Sequence, residues 1–145
     1  MAELRIRDLT KRYDKKRDVL QGIDLDVADG ELLSVLGPSG CGKSTLLRLI
    51  AGLERADGGE IRIDGRRVDG LAPKDRDVAM VFQSYALYPH MSVFDNIAVS
   101  MRLRRFRAEE IHRRVEETAR RLAIEPYLRR YPRMLSGGER QRVAL

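Results

Sequence analysis

Residues 37–45 read Gly37-Pro38-Ser39-Gly40-Cys41-Gly42-Lys43-Ser44-Thr45, and Gly37, Gly42, Lys43 and Ser44 satisfy the spacing G-x-x-x-x-G-K-[ST]. A loop that closes around phosphate needs glycine because its backbone curls with the amides inward, where a β-carbon would meet the anion. Lys43 brings a point charge to the outer phosphates, and the Ser44 hydroxyl suits Mg²⁺. A helix opening directly after the loop would aim its positive end at the same place. The flanks agree with this reading. Leu32 to Leu36 is a short, almost wholly apolar run, expected as a strand buried on both faces. Ser44 to Ala51 holds Leu46, Leu47, Leu49 and Ile50 and stops at Gly52, which predicts a buried helix with a glycine C-cap. Strand, phosphate loop and helix in this order place the chain in the α/β class. Cys41, inside the loop, reads as a small tolerated residue.

Outward from the loop the pattern is strand-rich. Leu4, Ile6 and Leu9, then Ile23, Leu25 and Val27, alternate as strands with one wet face. Ile61, Ile63, Asp64-Gly65 and Val68 predict a hairpin, since Asp-Gly accepts the positive angles of a two-residue turn. Val78 to Phe82 is a second candidate for a buried strand. From Ser92 the period changes to that of helix. Ser92 and Asp95 have capping-box spacing, and Phe94, Ile97, Ala98 and Met101 share one face. A further helix from Ala108 to Ala123 places Ile111, Val115, Thr118 and Leu122 on one stripe. The chain is therefore expected to divide into a strand-rich, nucleotide-binding part, residues 1–87, and a helical part, residues 88–145.

Composition narrows the classes. Of 145 residues, 43% are hydrophobic and 34% charged, enough apolar material for a core and too much for a disordered chain. One cysteine and two histidines exclude a disulfide framework and a zinc cluster within the chain, and point to a reducing compartment. The start, MAELRIRD, alternates charged and apolar residues and lacks the uninterrupted apolar run expected of a signal peptide. The longest uncharged stretch, between Asp77 and Asp95, holds Gln83, Pro89 and His90 and is too polar to span a bilayer, so a membrane role would be peripheral.

Near the end stands Leu135-Ser136-Gly137-Gly138-Glu139-Arg140-Gln141-Arg142. Ser136 can cap a helix while the unhindered amides of Gly137 and Gly138 face outward, giving a second anion site. With Lys43 93 residues before Ser136, the pair of motifs resembles the phosphate loop and signature of ATP-binding cassette transporter ATPases. The family's usual signature has glutamine where this chain has Glu139. The resemblance implies the cassette type of P-loop nucleotide-binding domain with a helical subdomain, and ATP with Mg²⁺ on residues 37–45, Ser44 ligating the metal. It implies that Ser136, Gly137, Gly138 and Glu139 grip the γ-phosphate of ATP held by another subunit, so that the working form is a homodimer or a paired cassette. Gln83 is similar to the family's glutamine that senses Mg²⁺ and the attacking water. Tyr13 resembles its adenine-stacking aromatic.

The run Ser84-Tyr85-Ala86-Leu87-Tyr88-Pro89-His90-Met91-Ser92-Val93, with Pro73-Lys74-Asp75-Arg76 before it, looks like importers of the maltose and glycerol-3-phosphate type. That resemblance implies a carbohydrate or related solute ahead of polyamine, sulfate or iron, whose importers carry similar runs, and a place on the cytoplasmic face of the plasma membrane. It also implies contact with membrane permease subunits through Tyr88, Pro89, His90 and Met91, and an indirect link to a solute-binding protein. Nine residues follow Ser136, whereas the family continues to an apolar strand ending in an Mg²⁺-binding Asp, an adjacent catalytic glutamate and a switch histidine. The 145 residues are accordingly expected to be an N-terminal portion with an incomplete core sheet, binding ATP weakly and not hydrolysing it.

The net charge is +6, from 28 basic and 22 acidic groups, and the excess lies after residue 101. Glu109 with Arg113, Glu110 with Arg114, Glu116 with Arg120 and Glu117 with Arg121 are i,i+4 pairs in the favourable order. The surplus therefore belongs to Arg102, Arg104, Arg105 and Arg107, and to Arg129, Arg130 and Arg133, read as solvated surface, and no nucleic-acid partner is expected. The rival classes are a cassette ATPase acting on DNA or ribosomes, which would show salt-sensitive nucleic-acid binding, and a catalytically dead nucleotide sensor, which would bind ATP without turnover.

Overall fold

The computed structural model describes residues 2–14 and 17–145. In chain order these form β1 (Leu4–Asp14), β2 (Arg17–Val27), α1 (Lys43–Ala51), β3 (Gly58–Ile63), β4 (Arg66–Arg67), α2 (Val93–Leu103), α3 (Ala108–Arg121) and α4 (Gly137–Ala144). Short 3₁₀ turns stand at Pro73–Asp75, Glu125–Tyr127 and Pro132–Met134. Packing separates a unit up to Met80 from a unit that starts at Val81.

The first unit is an antiparallel sheet in the order β2-β1-β3-β4. Alternation along β1 sets Leu4, Ile6 and Leu9 across from Val27, Leu25 and Ile23 of β2, and sets Leu4 and Ile6 across from Ile63 and Ile61 of β3. The apolar face so formed carries the core: Ile6, Leu9 and Ile61 are fully buried, joined by Leu20, Val68 and two residues of α1, Leu46 and Leu49. Each such side chain contributes about 1.5–3 kcal/mol when withdrawn from water, and Leu46 and Leu49 fasten α1 to this cluster. The ladder is bulged after Ile6, where Asp8 has φ 46° and donates its N–H to the Asp24 carboxylate at 2.8 Å. Gly59, at φ 85°, faces this bulge; a β-carbon there would stand 2.4 Å from the Asp8 carbonyl oxygen. The hairpin turns at Asp64 and Gly65 with φ 49° and 73°, as the sequence predicts.

The second unit is helical and has two adjoining clusters, one around Val93, Ala119, Ile124, Leu135 and Val143, the other around Ala98, Ile111 and Val115. Ser92 caps α2: its Oγ accepts the Asp95 N–H at 3.1 Å and donates to the Asp95 carboxylate at 2.6 Å. Phe94, Ile97, Ala98 and Met101 pack on one face, as expected.

Four sequence expectations are corrected. Leu32–Leu36 is not a strand and is not buried; Leu32 and Leu36 are 91% and 90% exposed. Val78–Phe82 is likewise irregular, with Val78 and Val81 exposed. Both runs have the composition of parallel strands, but among the described residues no neighbouring strand supplies their ladder hydrogen bonds. On α3 the buried stripe is Ile111, Val115 and Ala119, while Thr118 is exposed. Of the four ion pairs expected there, Glu110–Arg114 (2.7 Å) and Glu117–Arg121 (2.6 Å) form; Arg120 turns to Glu125 and Glu109 faces Arg107. Glu125 and Arg107 lie beyond the helix ends, where a long side chain reaches them more easily than a helical pattern allows for. Among the described residues no helix is long and apolar enough to cross a membrane.

Candidate functional site

Residues 37–42 form the irregular loop that opens α1. Gly42 is its N-cap in the left-handed region, at φ 97°. A β-carbon at Gly42 would lie 2.9 Å from Leu20 Cδ2 and 3.0 Å from the Val19 carbonyl oxygen, so β2 also presses the loop at this point. At Gly37 the same atom would meet Cys41 Sγ at 2.7 Å, a measure of how tightly the loop closes on itself. The Lys43 ammonium folds back over the loop, donating to the carbonyls of Gly37 and Pro38 at 2.7 Å each, with Cys41 Sγ at 3.5 Å. Pro38, Ser39, Gly40, Cys41 and Ser44 are exposed. The first turn of α1 has no acidic residue and no side-chain cap. Its leading N–H groups therefore keep their donor capacity and the helix presents its positive end without opposition, an arrangement suited to an anion.

Tyr13 is brought to the same place. Its hydroxyl lies 3.2 Å from Thr45 Oγ1 and donates to the Glu54 carboxylate, while Lys11 Nζ stands 5.5 Å from the ring centre. Tyr13 is 56% exposed, so the ring offers a face to solvent while the hydroxyl is anchored. It borders a cavity of about 760 Å³ that Lys11, Asp18, Leu20 and Asp57 also line. Sequence reasoning missed Glu54, whose role comes from the turn after Gly52.

The remaining expected residues belong to the second unit. Gln83 is exposed at the start of the turn Gln83–Ala86, in which Tyr85 and Ala86 both have positive φ, 63° and 50°. Tyr88, Pro89 and His90 are exposed and Met91 half-buried. Asn96, another residue the sequence reading passed over, holds this segment: it accepts the Tyr88 N–H at 2.8 Å and donates to the carbonyls of Tyr88, Met91 and Ser92. Its only signal is a lone amide within an otherwise apolar helix face.

Ser136 caps α4 through a complete capping box. Its N–H donates to the Glu139 carboxylate at 2.6 Å and its Oγ accepts the Glu139 N–H at 3.3 Å. The Ser136 backbone N–H, then the Ser136 and Tyr127 side chains, hold the Glu139 carboxyl below the usual carboxylate range, and the Arg130 charge adds to this. A glutamine side-chain oxygen can accept the same backbone bond, so the departure from the family pattern keeps the local geometry. Gly137 and Gly138 have ordinary negative φ. A β-carbon at Gly138 would meet nothing within 4 Å, and one at Gly137 only the Tyr85 hydroxyl at 3.9 Å. Among the described residues no group of three or more His, Cys, Asp or Glu side chains could hold a metal ion.

The fold is that of solved ATP-binding cassettes. The dimeric, post-hydrolysis cassette MJ0796 bound to ADP and Pi superposes with a TM-score of 0.85 at 30% identity, over 97% of this chain and 66% of that one. A second dimeric structure of MJ0796, a bacterial ABC transporter cassette, gives 0.84 at the same identity, with the same coverage of both chains. Among curated relatives, the sn-glycerol-3-phosphate import ATP-binding protein UgpC of Pectobacterium atrosepticum is 61% identical over all 145 residues. The oligosaccharides import ATP-binding protein MsmX of Bacillus subtilis is 56% identical over the same span. The chain covers 41% and 40% of these two relatives. The sequence pattern of the ABC transporter family matches residues 20–145, and with the phosphate loop, the signature cap and the cassette fold in agreement, the chain belongs to that family.

Proposed function

We propose that this chain is the N-terminal part of the ATP-binding subunit of a solute importer, with ATP held on residues 37–45. The observation that carries this reading is the phosphate loop: Gly42 fixed by β2 in a left-handed cap, the Lys43 ammonium over the loop, and an α1 N-terminus free of acidic groups. Tyr13, anchored at Thr45, would stack on adenine. Ser44 would ligate Mg²⁺ between itself and the phosphates, and Gln83 would sense the metal and the attacking water. Phosphoryl transfer rests on positioning and charge stabilisation, and this chain's residues supply the positioning.

Pairing with a second cassette is supported by the signature. Glycine is a poorer helix former than alanine, and neither left-handed backbone nor internal crowding requires it at positions 137 and 138. Their bare backbone suits a phosphate offered by another subunit. Tyr88, Pro89, His90 and Met91, held by Asn96, would meet a membrane permease, with a solute-binding protein acting through it and the cassette lying peripherally on the cytoplasmic face. The names of the relatives favour glycerol 3-phosphate or an oligosaccharide as solute. Hydrolysis and transport are proposed for the whole protein, since the chain spans about 41% of such relatives.

The test is titration of the chain with a fluorescent ATP analogue and Mg²⁺. Saturable binding that ATP displaces, and that Lys43→Ala weakens at least tenfold, is expected. Equal affinity in the folded variant would refute the assignment.

A further inference from the structure

We propose that Arg76 is a positioning residue for the phosphate loop, acting through the far end of α1; its nucleotide arm rests on the reading above. Arg76 closes the Pro73-Lys74-Asp75-Arg76 segment and is 4% exposed. Its guanidinium is satisfied by backbone carbonyls alone: Nη1 donates to Leu49 (2.7 Å) and Ile50 (3.1 Å), Nε to Leu71 (3.0 Å) and Nη2 to Asp69 (3.1 Å). The neighbouring Asp69 carboxylate pairs with Arg67 instead, at 2.8 Å. Burial lowers the Arg76 pKa and the Asp69 charge opposes the shift.

Closing α1 does not require this group. Gly52, left-handed at φ 76°, already donates its N–H to the Leu49 carbonyl, and Leu53 donates to Arg48. What Arg76 adds is a lateral tie from the last turn of α1 to the backbone at Asp69 and Leu71, with a fixed cation at the negative end of the helix. Gly52 is shaped to it, since a β-carbon there would stand 2.4 Å from Arg76 Nε. A nine-residue helix is about 14 Å long and tilts as one body. Leu46 and Leu49 set its rotation, Arg76 sets its far end, and the irregular residues 37–42 at the near end follow its direction. The place of Lys43 and of the leading amides is therefore fixed in part from the opposite end of the helix.

The experiment compares the unaltered full chain with Arg76→Lys, which keeps the charge and loses the fork, and Arg76→Met, which keeps an unbranched stem and loses both. Backbone amide resonances are recorded without nucleotide, and Mg²⁺·ATP-analogue affinity is measured well below each melting temperature. We expect both variants to shift the amides of Gly42, Lys43 and Ser44 and to weaken binding about tenfold. Shifts confined to the last turn of α1 and the 69–76 segment, or unchanged affinity in a folded variant, would overturn the proposal. So would failure of both variants to fold, because Arg76 would then serve folding alone. If the unaltered chain binds no nucleotide, the functional reading fails and the amide shifts still decide the role of Arg76.

Discussion

Gly42 answers two demands that no other residue meets together. Its φ of 97° is costly for any residue with a β-carbon, by about 1–2 kcal/mol, and Leu20 and the Val19 carbonyl occupy the space that carbon would need. Gly42→Ala is therefore expected to lower stability by about 2 kcal/mol, read from a denaturant midpoint, and to weaken nucleotide binding through the displaced Lys43. A variant as stable as the parent would show that the loop can re-route around β2. Residues of this kind were legible in the sequence, since the motif names Gly42, Lys43 and Ser44 by type and spacing. Arg76, Glu54 and Asn96 were not, because their roles are set by which carbonyls or hydroxyl the fold carries to them, and an arginine, a glutamate or an asparagine in isolation has no spacing to read.

Among elements, α4 shows the cap read from the sequence at work, and it also carries a pH signature. Glu139 has its carboxyl held below the ordinary value of about 4.3. A group lowered in the folded state stabilises above its unfolded pKa, and that contribution disappears as pH falls through the folded value. The Ser136 N–H should therefore be protected from exchange near neutral pH and lose protection only on acidification below the ordinary carboxylate range. Glu139→Gln should remove the pH dependence, and Ser136→Ala should weaken the helix start by about 1 kcal/mol near neutral pH. A Ser136 amide whose exchange in the parent shows no such loss would contradict the capping box. The elements that sequence reading misjudged, Leu32–Leu36 and Val78–Phe82, fail for a different reason from α4. A cap is complete within four residues, whereas a strand exists only if another strand lies beside it. Hydrophobic content identifies a segment fit for a sheet without showing that the partner is present.

At the scale of the molecule, the α/β class, the change from strand to helix along the chain, and the cassette family were all readable from two motifs and the periodicity between them. The antiparallel sheet that seats α1 was readable as strands, but not as an order, because β1 sits between β2 and β3 only once the hairpin has folded back. The core around Ile6, Leu9 and Leu49 draws wholly on residues before Met80, and those around Val93 and Val115 wholly on residues after Val81. Calorimetry should therefore record two endotherms, with substitutions at Ile61 moving one and substitutions at Val115 the other. A single transition whose van't Hoff and calorimetric enthalpies agree would contradict this. With two such transitions, a substitution in one unit and a substitution in the other should add in their effects on stability, and the chain could change one half in evolution while the other keeps its melting point.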